Sequence, residues 1–234
     1  MREGAFGPVA RAARVTRRRF LAWLAGGIAA LTRPLLVLAA QRTVELICRQ
    51  AWGARKPTGE FRRHRIRRIT VHHSAVVLRD NRLAPERLRS HQAAHQDRGW
   101  PDIAYHLLID RRGNVYEGRP RWAIGDTATN YDPRGHLLVM CEGNFQEQRP
   151  SAAQVGALVD VLAWGVERYG VGVRTIRGHL EYADTACPGR ALQRRLGEVR
   201  RRVRERLDAG GARLVELCGQ DGEARVEAIE AGEA

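Results

Sequence analysis

Apolar and polar positions recur with two alternating periods along the chain, one near two and one between three and four. That switching predicts strands interleaved with helices. Ile66 to His73 alternates apolar and basic residues and ends in the β-branched run Ile69-Thr70-Val71, a strand pattern. Pro85 through Gln96 has Pro near its start and Gly99 beyond its end, the punctuation of a helix. Ala104 to Ile109 predicts a second strand, which the turn residues Asp110 to Asn114 fold back onto Val115-Tyr116-Glu117 as a hairpin. His136 to Cys141 is an apolar run of strand length, so it predicts a buried strand. From Ala152 to Tyr169, Val155, Leu158, Val159, Leu162 and Val166 fall at helical spacing behind Ser151, a capping residue. Val173 to Ile176 predicts a short strand leading into His179, and Pro188 opens an arginine-rich helix to about Leu207.

The other segments have no clear period. Ile47 to Pro57 predicts an extended lead-in, and Trp122 to Gly135 a surface loop. Residues 208–234 turn rich in Gly, Ala and Glu and predict an acidic tail, mobile or weakly helical. Together these elements predict an α/β fold, a single domain over residues 41–207 with a central mixed β-sheet flanked by helices.

Charge changes this picture little. The net charge of +14 raises the question of an anionic partner. Lys56 is the only lysine, however, so the charge is a compositional use of arginine, and no nucleic-acid-binding spacing accompanies it. No nucleic-acid partner is expected. The N-terminus carries more information. Thr16-Arg17-Arg18-Arg19-Phe20-Leu21 precedes an apolar run to about Leu31, with small residues at Ala39 and Ala40. Residues 1–40 therefore predict a twin-arginine export signal or, if uncleaved, a membrane anchor. Either places the working domain in the periplasm or cell envelope. There Cys48, Cys141, Cys187 and Cys218 allow one disulfide and one free thiol if Cys187 holds metal.

The candidate chemistry lies in two histidine-bearing segments, Val71-His72-His73 and His179 to Cys187. Consecutive strand residues point to opposite faces, so only one of His72 and His73 can enter a given site. Two imidazoles and one thiolate suit Zn²⁺ and leave a tetrahedral position open, the mark of a catalytic ion. His91-Gln92-Ala93-Ala94-His95 has the helical spacing of a zinc protease, but Gln92 stands where that chemistry needs a glutamate base. His91 and His95 are read instead as surface or groove-lining residues.

Six collinear pieces between about residues 48 and 195 carry a resemblance. They are Trp52-Gly53-Ala54, Val71 to Ser74, Gly99 to His106, Gly113 to Arg119, Glu142 to Phe145, and Thr185 to Gly189. In these the chain resembles the zinc-dependent N-acetylmuramoyl-L-alanine amidases of the peptidoglycan recognition protein and phage T7 lysozyme type. The resemblance implies that fold, peptidoglycan or muropeptides as partner, and hydrolysis of the amide between N-acetylmuramic acid and L-alanine. It implies His72, His179 and Cys187 as zinc ligands, with His73 as a packing partner. Tyr105 matches the family tyrosine over the zinc-bound water, and Thr185 a position held by threonine or lysine. Because a hydroxyl is a poor base, Glu142 is a further candidate for moving the proton. The resemblance implies a groove lined by the segments His95 to Trp100 and Trp122 to Asn130, with His95, Trp100, Trp122, Thr127 and Asn144 as the candidate contacts. The alternative is a module that binds peptidoglycan without cutting it.

Overall fold

The computed structural model describes residues 41–234; the expected export signal or anchor lies outside the described residues. One seven-stranded mixed sheet organises the domain. Its strands are β1 (Arg42–Ile47), β2 (Arg68–His73), β3 (Leu107–Ile109), β4 (Val115–Glu117), β5 (His136–Cys141), β6 (Ile176–Gly178) and β7 (Ala212–Leu217). They are ordered β6-β2-β5-β3-β4-β1-β7. All neighbours are parallel except the β3–β4 hairpin. β5 is buried along its whole length, as its unbroken apolar run requires of a central strand.

Helices cover both faces. α1 is Ala84–Asp97, α2 is Ala152–Tyr169, α3 is Arg190–Gln193, α4 is Leu196–Asp208 and α5 is Gly219–Ala231. α2 begins where Ser151 Oγ accepts from the Gln154 N–H at 3.0 Å, and it ends at Gly170 in the left-handed region at φ 61°. Its stripe of Val155, Leu158, Val159 and Leu162 packs with Val199 and Val203 of α4 against Ile69, Val71, Leu137 and Val139 of the sheet. The opposite face packs Trp52, Leu88, Leu108, Tyr116 and Met140 with Val226 and Ile229 of α5.

The sequence expectations need correction at four places. The acidic tail is not a separate mobile segment: β7 pairs with β1 along six residues and α5 buries Val226 and Ile229. A Cys48–Cys218 disulfide ties this extension to the end of β1. The domain therefore continues past residue 207, and a strand not expected from the sequence, Arg42–Ile47, precedes the lead-in and takes its first residue. Val173–Thr175 is a 3₁₀ turn and the strand follows it, at Ile176–Gly178. The arginine-rich helix is broken into α3 and α4, because the Arg195 N–H bonds Leu192 O, three residues back rather than four.

Candidate metal centre

The register of β2 and β6 builds the site. They run in parallel with Val71 opposite Gly178, so the chain leaves β6 at His179 beside His72. Both histidines thus sit at the carboxyl ends of neighbouring parallel strands, the edge where α/β sheets hold ligands. The third group arrives on the loop before α3. Gly189 holds φ 86°, and a Cβ there would fall 2.6 Å from the Phe145 carbonyl carbon, so only glycine lets this loop lie against Phe145.

His72, His179 and Cys187 offer ligand atoms that all lie within 4.8 Å of one another. Cys187 Sγ is 3.5 Å from His72 Nδ1. Bonds of about 2.3 Å to sulfur and about 2.0 Å to nitrogen at a tetrahedral angle would separate those atoms by about 3.5 Å. The donor set and its spacing fit zinc.

Burial keeps the two imidazoles neutral and, without a cation, the thiol protonated. It holds the His72 imidazole well below its usual pKa, assisted by His179, and lowers His179 to about 4, so both rings are neutral donors near pH 7. Burial pushes the Cys187 thiol up to about 12, against the pull of the His73 N–H that reaches its sulfur at 3.4 Å. Such a thiol gives up its proton when a cation takes the proton's place. Around the ligands, Thr129 Oγ1 lies 2.8 Å from His179 Nε2 and also 2.8 Å from Thr127 Oγ1, a hydroxyl pair that orients the ring. His73 Nδ1 accepts the Phe145 N–H at 3.2 Å, which makes it a packing partner.

A cleft of about 310 Å³ opens over the trio. Tyr105 lines it with its ring 5.2 Å from that of His72. Burial, then the sulfur of Cys187, pushes its phenol above the ordinary range, so it remains a hydrogen-bond donor. Thr185 also lines the cleft, its hydroxyl accepting the Cys187 N–H at 3.2 Å. His95, Trp100 and Thr127 are there as expected. His95 Nδ1 accepts the Ala104 N–H at 3.1 Å, and its ring packs 4.8 Å from Trp100.

Three expected residues lie elsewhere. Glu142 is fully buried behind the wall, one oxygen accepting from Ser74 Oγ at 3.0 Å and the other paired with His91 Nε2 at 2.9 Å. Asn144 folds onto its own turn, accepting the Gln146 N–H at 3.1 Å and donating to Glu147 at 2.7 Å. Trp122 lines a different cleft with Trp164 and Tyr169, where the Arg63 guanidinium covers its ring at 4.2 Å. In each case a side chain satisfied by near neighbours has been turned away from the groove.

Arg98 and Thr129 fall within the segments expected to line the groove, although neither was singled out. Arg98 brings a positive charge into the cleft, and no spacing signals it. Two motif residues prove to be scaffold. Arg119, 1% exposed, donates to the carbonyls of Asp102, Ile103 and Ile124 and pairs with Asp126, stapling the loops that carry the cleft wall. Gln92 is buried and donates to Asp102 Oδ1 at 2.6 Å, which accounts for an amide at that place.

Residues 62–190 match the family described as N-acetylmuramoyl-L-alanine amidase (Amidase_2). Peptidoglycan-recognition protein SC2 of Drosophila melanogaster is 32% identical over 150 residues, covering 62% of this chain and 81% of that protein. The N-acetylmuramoyl-L-alanine amidase of Sus scrofa is 33% identical over 130 residues, covering 53% of this chain and 22% of its own length. The structure of peptidoglycan recognition protein-LE in complex with tracheal cytotoxin, a monomeric diaminopimelic acid-type peptidoglycan, superposes with a TM-score of 0.60. It shares 28% identity and covers 65% of this chain and 92% of that one.

Proposed function

Since the chain belongs to the N-acetylmuramoyl-L-alanine amidase family, we propose that it is a zinc hydrolase cutting the amide between N-acetylmuramic acid and L-alanine in peptidoglycan. One observation carries this reading: His72, His179 and Cys187 converge within 4.8 Å of one another in an open cleft, with the His72–Cys187 pair at tetrahedral spacing. When bound, zinc supplies Lewis acidity and acidifies a water molecule to a pKa of about 7. The two imidazoles and the sulfur would hold the ion, and Thr129 fixes the ring of His179. The Tyr105 phenol donates a hydrogen bond where negative charge develops on the scissile carbonyl oxygen. Thr185 holds the Cys187 loop by its backbone and presents a hydroxyl to the same space. Arg98 and the aromatic wall of Trp100 and His95 bind the peptide stem, the guanidinium attracting its carboxylates.

Export is part of the same proposal, supported by the Cys48–Cys218 disulfide, which persists in an oxidising compartment. The substrate would be met there.

A second reading is binding without cleavage, favoured by the likeness to proteins named for recognition. The complete ligand trio with Tyr105 beside it favours hydrolysis. A muropeptide digest by the purified protein separates the two. Free L-alanine amino termini support the amidase, and tight binding with intact muropeptides supports the binder.

A further inference from the structure

A second cleft, of about 540 Å³, shares no lining residue with the metal cleft. It exists because β4 starts late. Val115 pairs opposite Leu46, so among the described residues no strand lies beside Arg42–Glu45 on that side of β1. α2 crosses behind the gap with Ala153, Gly156 and Ala157, which are too small to fill it. A Cβ at Gly156 would meet nothing within 4 Å.

Arginine dominates the lining. Arg42, Arg112, Arg202, Arg206 and Arg225 stand there against Glu45 and Asp160. Two of these cations are held in place from below. Asp160, 7% exposed on α2, accepts from Arg206 Nε at 2.7 Å and lies 3.4 Å from Arg42 Nε. Arg206 bonds it through Nε and Arg42 approaches it by Nε, so among the described residues the terminal N–H groups of both arginines are left for a ligand. One buried carboxylate between two guanidinium groups also cancels their mutual repulsion and fixes their direction. Guanidinium forks match phosphate oxygens bidentately.

We propose that this cleft is a binding site for a phosphate-bearing ligand, whose phosphoryl group is gripped by Arg42 and Arg206 with Asp160 as their positioning residue. The cleft lining carries five cations and two anions. A phosphate monoester has a charge of about −1.5 to −2 near pH 7. Arg225 is already paired with Glu45 at 2.6 Å, Arg202 with Glu198 at 3.7 Å, and Arg112 donates to the Gly232 and Ala234 carbonyls at 2.8 Å, so Arg42 and Arg206 are the cations left to face an anion, and a diphosphate offers one phosphoryl group to each. Free diphosphate and a diphosphate carried on a lipid present the same oxygens.

Titration of the full-length protein with inorganic pyrophosphate tests the site. Arg206→Gln should weaken binding about tenfold, or about 1.4 kcal/mol. Asp160→Asn is the sharper probe, because it makes the protein more positive yet removes the support. The clamp predicts weaker binding in Asp160→Asn; simple charge attraction predicts tighter. Tighter or unchanged binding in a folded Asp160→Asn protein overturns the proposal. If that variant fails to fold, Arg42→Gln with Arg206→Gln decides, and retained affinity assigns the anion to another site. Muropeptide turnover should stay at the wild-type level in all of these. Displacement of pyrophosphate by vesicles bearing a diphosphate-headed lipid assigns a lipid carrier. Displacement by soluble diphosphates alone assigns the free anion, and both keep the site. Absence of any pyrophosphate binding overturns it.

Discussion

His72 Nδ1 and Cys187 Sγ lie 3.5 Å apart although 115 residues separate them in the chain. β2 supplies the first at its carboxyl end, and the Gly189 bend against Phe145 presents the second. The separation is set by the fold, so the trio is organised before an ion arrives.

Thr129 tests how far that organisation depends on the hydroxyl pair. Its Oγ1 meets His179 Nε2 at 2.8 Å, and loss of such a partner costs about 10- to 100-fold in metal affinity. Thr129→Ala should weaken zinc by that factor in a competition titration with a chromophoric chelator. Thr129→Ser should restore it.

Tyr105→Phe separates metal binding from chemistry. The ring still packs beside His72, so zinc content should match wild type. Turnover of muropeptides should fall by about 10²- to 10³-fold, the usual cost of removing one oxyanion donor, with KM little changed. Loss of zinc instead would make Tyr105 a structural residue.

What the sequence revealed followed from local physics. The α2 stripe, its Ser151 cap and the β5 run were readable because burial pattern and period agree within one element. The candidate trio was readable because His72, His179 and Cys187 fall in short motifs, and the fold brings the three together. β7 was hidden: Ala212–Leu217 is a strand only because β1 lies alongside it, and that pairing spans about the whole domain. Trp122 and Asn144 were misplaced for a similar reason. Their side chains are turned by Arg63 and Glu147, contacts that a spacing rule does not contain. Glu142 shows it most clearly, since both of its oxygens are taken by Ser74 and His91, away from the cleft.

The Cys48–Cys218 bond closes a loop of 170 residues and anchors β7 and α5. Disulfides typically contribute about 2–4 kcal/mol. Cys218→Ser should lower the unfolding free energy in urea by that amount. Wild-type protein with reductant should follow the variant's curve, whereas identical curves with and without reductant would show that the bond adds nothing.

Acid should destabilise the fold through its buried histidines. His106 accepts the Leu138 N–H on Nδ1 and bonds Ala123 O through Nε2, and burial lowers its pKa to about 3. His136 is lowered to about 4, chiefly by burial. The unfolded chain takes up these protons near 6.5, so the stability is complete above that pH and declines as pH falls toward 4. Each group should contribute up to about 1.4 kcal/mol per pH unit. Urea midpoints at pH 7, 6 and 5 should decline in that order, and a flat series would contradict the assignment.

The most direct test of the amidase account is muropeptide turnover by one preparation, first stripped by chelator and then given back stoichiometric zinc. The account predicts release of L-alanine amino termini that stops on stripping, returns with zinc, and never returns in His179→Ala. Turnover that persists without metal, or a zinc-loaded protein that leaves muropeptides intact, would contradict it.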